Sequence, residues 1–297
     1  MSKKLRSDVS LLFELVVKKA VALGIDETIV LLWFPNLQLF HGLAQIWLTN
    51  SELHLQPCTI NMPVSIQNMF RPPVDCSMCR DVYQVDRVSA ISVADFKKRY
   101  AYTGHPVVIT DSTSNWTALK HFNFPFFKSL YSDDSPTLES IRQGCQFFPY
   151  DTEFKSLGEV FNMNAERALL KDKSKPWYIG WSNCDSSVAN ALRKHYERPY
   201  FLPADAESSK TDWVFMGSPG YGAHLHIDHV VNPSWQAQIS GHKHWTLEPP
   251  PECSLDCRGL EVTVEPGEII VLDTNWWFHK TLIVGEEISI TIGSEYD

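Results

Sequence analysis

A mainly β domain, a barrel or sandwich with flanking helices and a helical segment ahead of it, is predicted by three observations. The C-terminal part of the chain carries short apolar runs over residues 177–181, 213–216, 223–228, 235–240, 244–247, 260–264, 268–272, 278–284 and 287–292, each bounded by Gly, Pro, Asn or charged residues; runs of that length and spacing are strands. Helical periodicity is clearest at the other end, where Leu11, Leu12, Leu15, Val16 and Val21 recur between Ser7 or Asp8, able to cap the start, and Gly24, able to end the helix. The composition, 44% hydrophobic and 12% aromatic over 297 residues, can bury a substantial core without staples.

The chain divides accordingly into a helical segment over 1–56, an irregular connection over 57–90 that contains Pro63, Pro72 and Pro73, and a main domain over 91–297. In the first segment Lys3, Lys4, Arg6, Lys18 and Lys19 precede an apolar stretch at 29–48, an order that resembles a signal anchor. Pro35, Asn36, Gln38, His41, Gly42 and Gln45 interrupt that stretch, and Leu37, Phe40, Ala44 and Trp47 recur at helical spacing opposite Gln38, His41 and Gln45. An amphipathic helix, packed or lying on a membrane surface, is therefore expected, with a membrane anchor as the alternative. In the main domain Ser92-Val93-Ala94-Asp95 forms a capping box for a short helix through Tyr100, Pro106 opens a buried strand over 105–111, and 156–170 is expected to be helical.

A net charge of −9 gives no general attraction to nucleic acid, which calls for a basic surface. The seven cysteines are an odd number and no disulfide scaffold, so free thiols and an intracellular location, cytoplasm or nucleus, are expected. A luminal domain behind a membrane anchor is the alternative, and in that case alone the sequon Asn115-Trp116-Thr117 would matter. Cys76-Ser-Met-Cys79 and Cys253-Ser-Leu-Asp-Cys257 have spacings that would suit zinc if the fold brought them together, a reading set behind free cysteines.

The chemistry-bearing residues lie in the strand region. His226 and Asp228 share one face of an expected strand while Leu225 and Ile227 share the other. With His279 they make two imidazoles and one carboxylate, a set that holds Fe(II) and leaves coordination positions open. A His-x-Asp triplet alone is weak, because roughly one occurs by chance in a chain with this many histidines. Lys243, pointing into a barrel, would require an anion. On the last strand Ser289, Thr291 and Gly293 face opposite to Ile288, Ile290 and Ile292, so a small polar face looks toward a cavity; a half-exposed edge strand is the alternative.

Residues 212–250, which include Gly222-Ala-His-Leu-His-Ile-Asp228 and Trp235-Gln-Ala-Gln-Ile-Ser-Gly-His-Lys243-His-Trp, together with Asn275-Trp-Trp-Phe-His279, resemble the JmjC oxygenases, in particular the branch with the arginine demethylase and lysyl hydroxylase. The resemblance runs over about 90–293. It implies a double-stranded β-helix of the jelly-roll or cupin kind and a reaction that uses Fe(II), 2-oxoglutarate and O2. It matches His226, Asp228 and His279 to the metal ligands, and Lys243 and Thr291 to the residues that hold the cosubstrate. Ala223 departs from the pattern where relatives often carry a hydroxyl, Gln236 where many have Asn, and Ile283 where this branch has Asn. His224 shares parity with His226 and is expected to be an ordinary hydrogen-bonded histidine rather than a competing ligand. The C-terminal helices through which some relatives dimerise are not expected, which leaves the oligomeric state open. Hydroxylation of a protein side chain is the expected function; N-demethylation of lysine or arginine and a non-catalytic binding module are the alternatives.

Overall fold

Strands rich in β-branched and aromatic residues need apolar faces to bury: the larger of two sheets buries one face against helical segments and packs Val108, Ile270 and Leu272 against Trp245, Leu247 and Val262 of the smaller sheet. The computed structural model describes residues 73–131, Leu138 and 145–297; the helical segment expected over 1–56 and the first part of the expected connection lie outside the described residues. One sheet has eight strands: β1 (Asp86–Val88), β2 (Val107–Ile109), β3 (Phe147–Phe148), β4 (Tyr178–Asn183), β5 (Asp212–Gly217), β6 (Ser234–Ser240), β9 (Ile269–Leu272) and β11 (Ser289–Glu295), in the order β1-β2-β9-β6-β11-β5-β4-β3. The second is β10-β7-β8, from β7 (His242–Glu248), β8 (Leu260–Val264) and β10 (Phe278–Val284). Among the described residues, only β1 and β2 pair in parallel. This is the expected jelly-roll architecture.

The last strand is interior rather than an edge. β11 lies between β6 and β5, with Thr291 opposite Gln238 on one side and Phe215 on the other. Its alternation is real but both faces are covered: Ile290 and Ile292 enter the main apolar core, while Ser289 and Thr291 are buried among polar side chains.

Flanking helices are short. The Ser92 hydroxyl accepts the Asp95 N–H at 3.0 Å and opens α1 (Val93–Phe96), which runs on as a π-helical turn over Lys97–Ala101. α2 (Ala118–His121) and α3 (Phe124–Leu130) follow. The helix expected over 156–170 is two, α4 (Leu157–Asn162) and α5 (Ala165–Ala168), because Asn164 caps a fresh start by accepting from the Arg167 N–H. α6 (Ser186–Leu192) begins at Asp185.

The run at 223–228 is not a regular strand. It touches β10 through an isolated bridge between His226 and His279, with further bonds from Thr281 N to the Ala223 carbonyl and from Ile283 N to that of Tyr221. Two glycines explain the irregular course. Gly220 has φ +85°, and a Cβ on Gly222 would sit 2.1 Å from the Thr281 carbonyl oxygen, so a regular side-chain-bearing strand cannot approach β10 here.

Free cysteines are also corrected. Cys76 bonds Cys253, Cys79 bonds Cys257, and Cys145 bonds Cys184. The fold does bring the two spaced cysteine pairs together, as the zinc reading required, but as disulfides that join segments 177 and 178 residues apart. Residues 73–90, part of the expected connection, thereby hold a crosslinked 3-10 turn (Cys76–Met78) and the sheet strand β1.

Candidate metal centre

The bridge that interrupts the strand pattern also builds the site. His226 N–H donates to the His279 carbonyl at 3.0 Å, and His279 N–H returns the bond to His226 at 2.8 Å, which sets the two imidazoles side by side with ring centroids 4.2 Å apart. Asp228 is held two residues on by its N–H donating to the Thr274 carbonyl at 2.9 Å. The outcome is the expected cluster: one ligand atom from each of His226, Asp228 and His279 lies within 4.8 Å of the others. His226 Nε2 is 3.5 Å from Asp228 Oδ1, and His279 Nε2 is 3.9 Å from Asp228 Oδ2.

Each imidazole has its second nitrogen committed. Nδ1 of His226 meets the His224 carbonyl at 2.6 Å, and Nδ1 of His279 meets that of Trp277 at 3.1 Å. A carbonyl only accepts, so both Nδ1 atoms carry the proton and both Nε2 lone pairs face Asp228. Burial, and then the neighbouring His226, push the His279 pKa down to about 4 against the pull of Asp228, so this imidazole is neutral and available as a ligand at physiological pH. Trp245 stacks on its far side at 5.9 Å. His224, by contrast, turns away to Tyr221 and Asp151, and is no part of the cluster.

The triad lies on a cavity of about 240 Å³. Phe148, Trp213 and Phe215 form one wall, stacked in succession at 5.7 and 6.2 Å with interplanar angles of 21° and 14°. Glu295 lies on the same cavity; desolvation raises its pKa while a hydrogen bond from Trp213 opposes that.

The two residues expected to hold a cosubstrate are brought together, but neither lines the cavity. Lys243 is fully buried on β7, and Nζ donates to Thr291 Oγ1 at 2.5 Å and to Tyr178 Oη at 3.2 Å. Thr291 passes its own proton to Gln238 Oε1 at 3.0 Å. Neither Lys243 nor Thr291 lines the cavity; Tyr178, Phe215 and Trp245, whose ring centroids are 5.4, 5.5 and 6.0 Å from Nζ, do. Among the described residues no carboxylate pairs with this ammonium, and desolvation lowers its pKa to about 7. An unneutralised buried cation beside a metal-ligand cluster fits an anionic cosubstrate, and the two-imidazole, one-carboxylate donor set fits a ferrous ion.

Sequence reasoning missed several members of this wall. Tyr150, Tyr178, Thr281 and Glu295 of the cavity lining, and Gln238 behind it, carry no motif and are not singled out by the sequence. The parity of β10 was the usable signal for Thr281, which stands two residues from His279 on the same face, lines the cavity and accepts the Ala223 N–H at 3.0 Å. The hydroxyl lacking at Ala223 thus has a counterpart from the opposite strand.

A jelly-roll barrel with two histidines and an aspartate converging on its cavity defines the class: a cupin-type barrel with a candidate metal centre. The cupin-like domain family matches residues 93–255, and the chain belongs to that family. It is 22% identical over 268 residues to the bifunctional arginine demethylase and lysyl-hydroxylase psr-1 of Caenorhabditis elegans, covering 73% of this chain and 62% of that protein. It is 28% identical over 264 residues to the arginine-specific demethylase JMJ20 of Arabidopsis thaliana, covering 70% and 56%. To the 2-oxoglutarate and iron-dependent oxygenase JMJD4 of Gallus gallus it is 21% identical over 253 residues, covering 69% and 58%. The match therefore spans a little over half the length of these relatives. The JmjC-type resemblance seen in the residues agrees with those names.

Proposed function

We propose that the chain is an Fe(II)- and 2-oxoglutarate-dependent oxygenase that hydroxylates a protein side chain. The observation that carries this reading is the convergence of His226, Asp228 and His279 on one cavity, with both Nδ1 atoms tied to backbone carbonyls. When bound, iron with 2-oxoglutarate supplies dioxygen activation coupled to decarboxylation of the cosubstrate. The chain's own residues do the placing. His226 and His279 would hold the ion through Nε2 and Asp228 through a carboxylate oxygen. Lys243 is the counter-charge for a distal carboxylate, with Thr291 and Tyr178 orienting it; Tyr178, which accepts from Nζ at 3.2 Å, itself lines the cavity. Trp245 and Tyr178 keep water from that end of the site.

The relatives named arginine demethylase and lysyl-hydroxylase act on protein side chains, which supports a protein substrate. A second reading, N-demethylation, is favoured by the stacked Phe148, Trp213 and Phe215 next to Glu295, since aromatic faces with a carboxylate suit a cationic or methylated side chain. The test is cosubstrate turnover: succinate release with added Fe(II), wild type against Asp228→Ala, followed by mass analysis of lysine and arginine peptides with and without N-methylation. Gain of one oxygen indicates hydroxylation, and loss of a methyl with formaldehyde indicates demethylation. Equal succinate release by both proteins, with no iron retained, would leave the oxygenase reading without support and favour a non-catalytic binding module.

A further inference from the structure

We propose that Asn115 carries an N-linked oligosaccharide. Three crosslinks set the compartment. Six of the seven cysteines are paired, and two of the bonds, Cys76–Cys253 and Cys79–Cys257, fasten a turn ahead of the barrel to the loop after β7. Crosslinks of this kind persist on the oxidising side of a membrane and are reduced in a cytosol held at low potential. On that side an Asn-x-Ser/Thr triplet becomes an acceptor unless x is proline.

The chain holds one such triplet, Asn115-Trp116-Thr117; Asn232-Pro233-Ser234 has the excluded proline. Its geometry meets what a folded glycoprotein needs. Asn115 and Thr117 are exposed, while Trp116 between them is 4% exposed and packs edge-on against Trp235 and beside Tyr196. The buried indole anchors the triplet, and the residues on either side of it lie at the surface in the turn before α2. Asn115 Nδ2 donates to Glu197, an exposed carboxylate. Substitution on nitrogen leaves the amide one N–H, so that bond can persist beside a glycan. Asn115 does not line the cavity, so the sugar would leave the metal site open.

The transfer is a substitution at carbon. The amide nitrogen of Asn115 forms a bond to the anomeric carbon of a glycosyl donor activated as a lipid diphosphate. The bond from that carbon to the diphosphate oxygen breaks, the leaving group keeps the electron pair, and the amide loses one proton. There is no net oxidation or reduction. Thr117 places its hydroxyl two residues on, as the acceptor triplet requires, and is held by a 2.9 Å contact with His195 Nδ1.

The test uses the full chain produced in eukaryotic cells, as wild type, Asn115→Gln, Thr117→Ala and Thr117→Ser. The expected result is a single endoglycosidase-sensitive mass step in the wild type and in Thr117→Ser, lost in the other two. Succinate release per folded protein should be the same for Asn115→Gln as for wild type, since this residue lies outside the cavity. Thiol alkylation of the same samples, denatured without reductant, should leave six of the seven cysteines unreactive. Absence of the mass step in the wild type, or its persistence in Asn115→Gln, overturns the proposal. Free thiols at all seven cysteines would remove its premise. The mass step and the thiol count depend on neither iron nor turnover, so the proposal and the oxygenase reading stand or fall separately.

Discussion

The two polar ends of the cavity region are built on opposite principles. At the metal end His226 and Asp228 keep about a third of their side chains exposed, and every ligand is positioned by backbone bonds: the reciprocal His226–His279 pair, the Thr274 carbonyl, and the carbonyls of His224 and Trp277. At the lysine end Lys243 and Thr291 are fully enclosed, and side chains alone hold them. The candidate metal end is held in place by the backbone. At the lysine end the buried ammonium is met by the hydroxyls of Thr291 and Tyr178 rather than by a carboxylate.

Breaking the candidate metal end should have the largest effect. Asp228→Ala removes the only carboxylate of the cluster, and iron affinity should fall by more than the roughly 10–100-fold that supporting groups around a metal contribute. Iron retention after desalting, read together with succinate release, checks this; retention near the wild-type level would mean that the ion sits elsewhere. A supporting group should fall within that range. Trp277 Nε1 donates to the Gly104 carbonyl at 2.7 Å, and the Trp277 carbonyl holds His279 Nδ1. Trp277→Phe frees this anchor, and iron affinity should drop roughly 10-fold while the cosubstrate KM, measured at saturating iron, stays unchanged.

The lysine end makes a prediction in pH. Its folded-state pKa, about 7, is below the 10.5 of an exposed lysine, so the unfolded chain binds more protons across that window. Stability should therefore rise as pH goes from about 7 toward 10.5, and be lowest below 7. Cosubstrate binding needs the charged form and should weaken over the same rise. Lys243→Met should flatten this contribution in both profiles and stabilise the ligand-free protein at neutral pH, by an amount on the order of a few kcal/mol at most. Urea melts and cosubstrate titrations at several pH values would read this out; a wild-type affinity that increases above pH 8 would exclude Lys243 as the counter-charge.

Much of this contrast was legible in the sequence, for a physical reason. The resemblance to the JmjC oxygenases is carried by local motifs, with strand parity in support, and so His226, Asp228, His279, Lys243 and Thr291 could be named; the first three are found in one cluster and the last two in hydrogen-bond contact. What escaped were consequences of pairing between distant segments. The run at 223–228 alternates like a strand, yet Gly222 must pass close to Thr281, 59 residues on, and the run becomes a single bridge. An odd cysteine number argued for free thiols, because nothing local says that Cys76 lies 5.4 Å, Cα to Cα, from Cys253. Burial of Lys243 followed from the barrel, but its enclosure behind Tyr178 depends on β4, 65 residues earlier, and has no local signature.

The smallest expected effect tests whether Ala223 weakens the site. Its side chain lines the cavity and its N–H is already satisfied by Thr281 Oγ1 at 3.0 Å. Ala223→Ser adds one hydroxyl to a wall that has one in place, and a neutral hydrogen bond contributes about 0.5–1.5 kcal/mol, so the cosubstrate KM should change by less than about tenfold. Thr281→Val acts in the other direction and should cost more, about 1–3 kcal/mol of stability, because it leaves the buried Ala223 N–H without its acceptor. If Ala223→Ser improves the KM by far more than tenfold while Thr281→Val leaves stability intact, Thr281 does not replace the missing hydroxyl, and the lysine end is as poorly suited to a cosubstrate as Ala223 first suggests. If the ordering holds, the departure at Ala223 is compensated across the bridge, and the enclosure of Lys243 is what limits cosubstrate access.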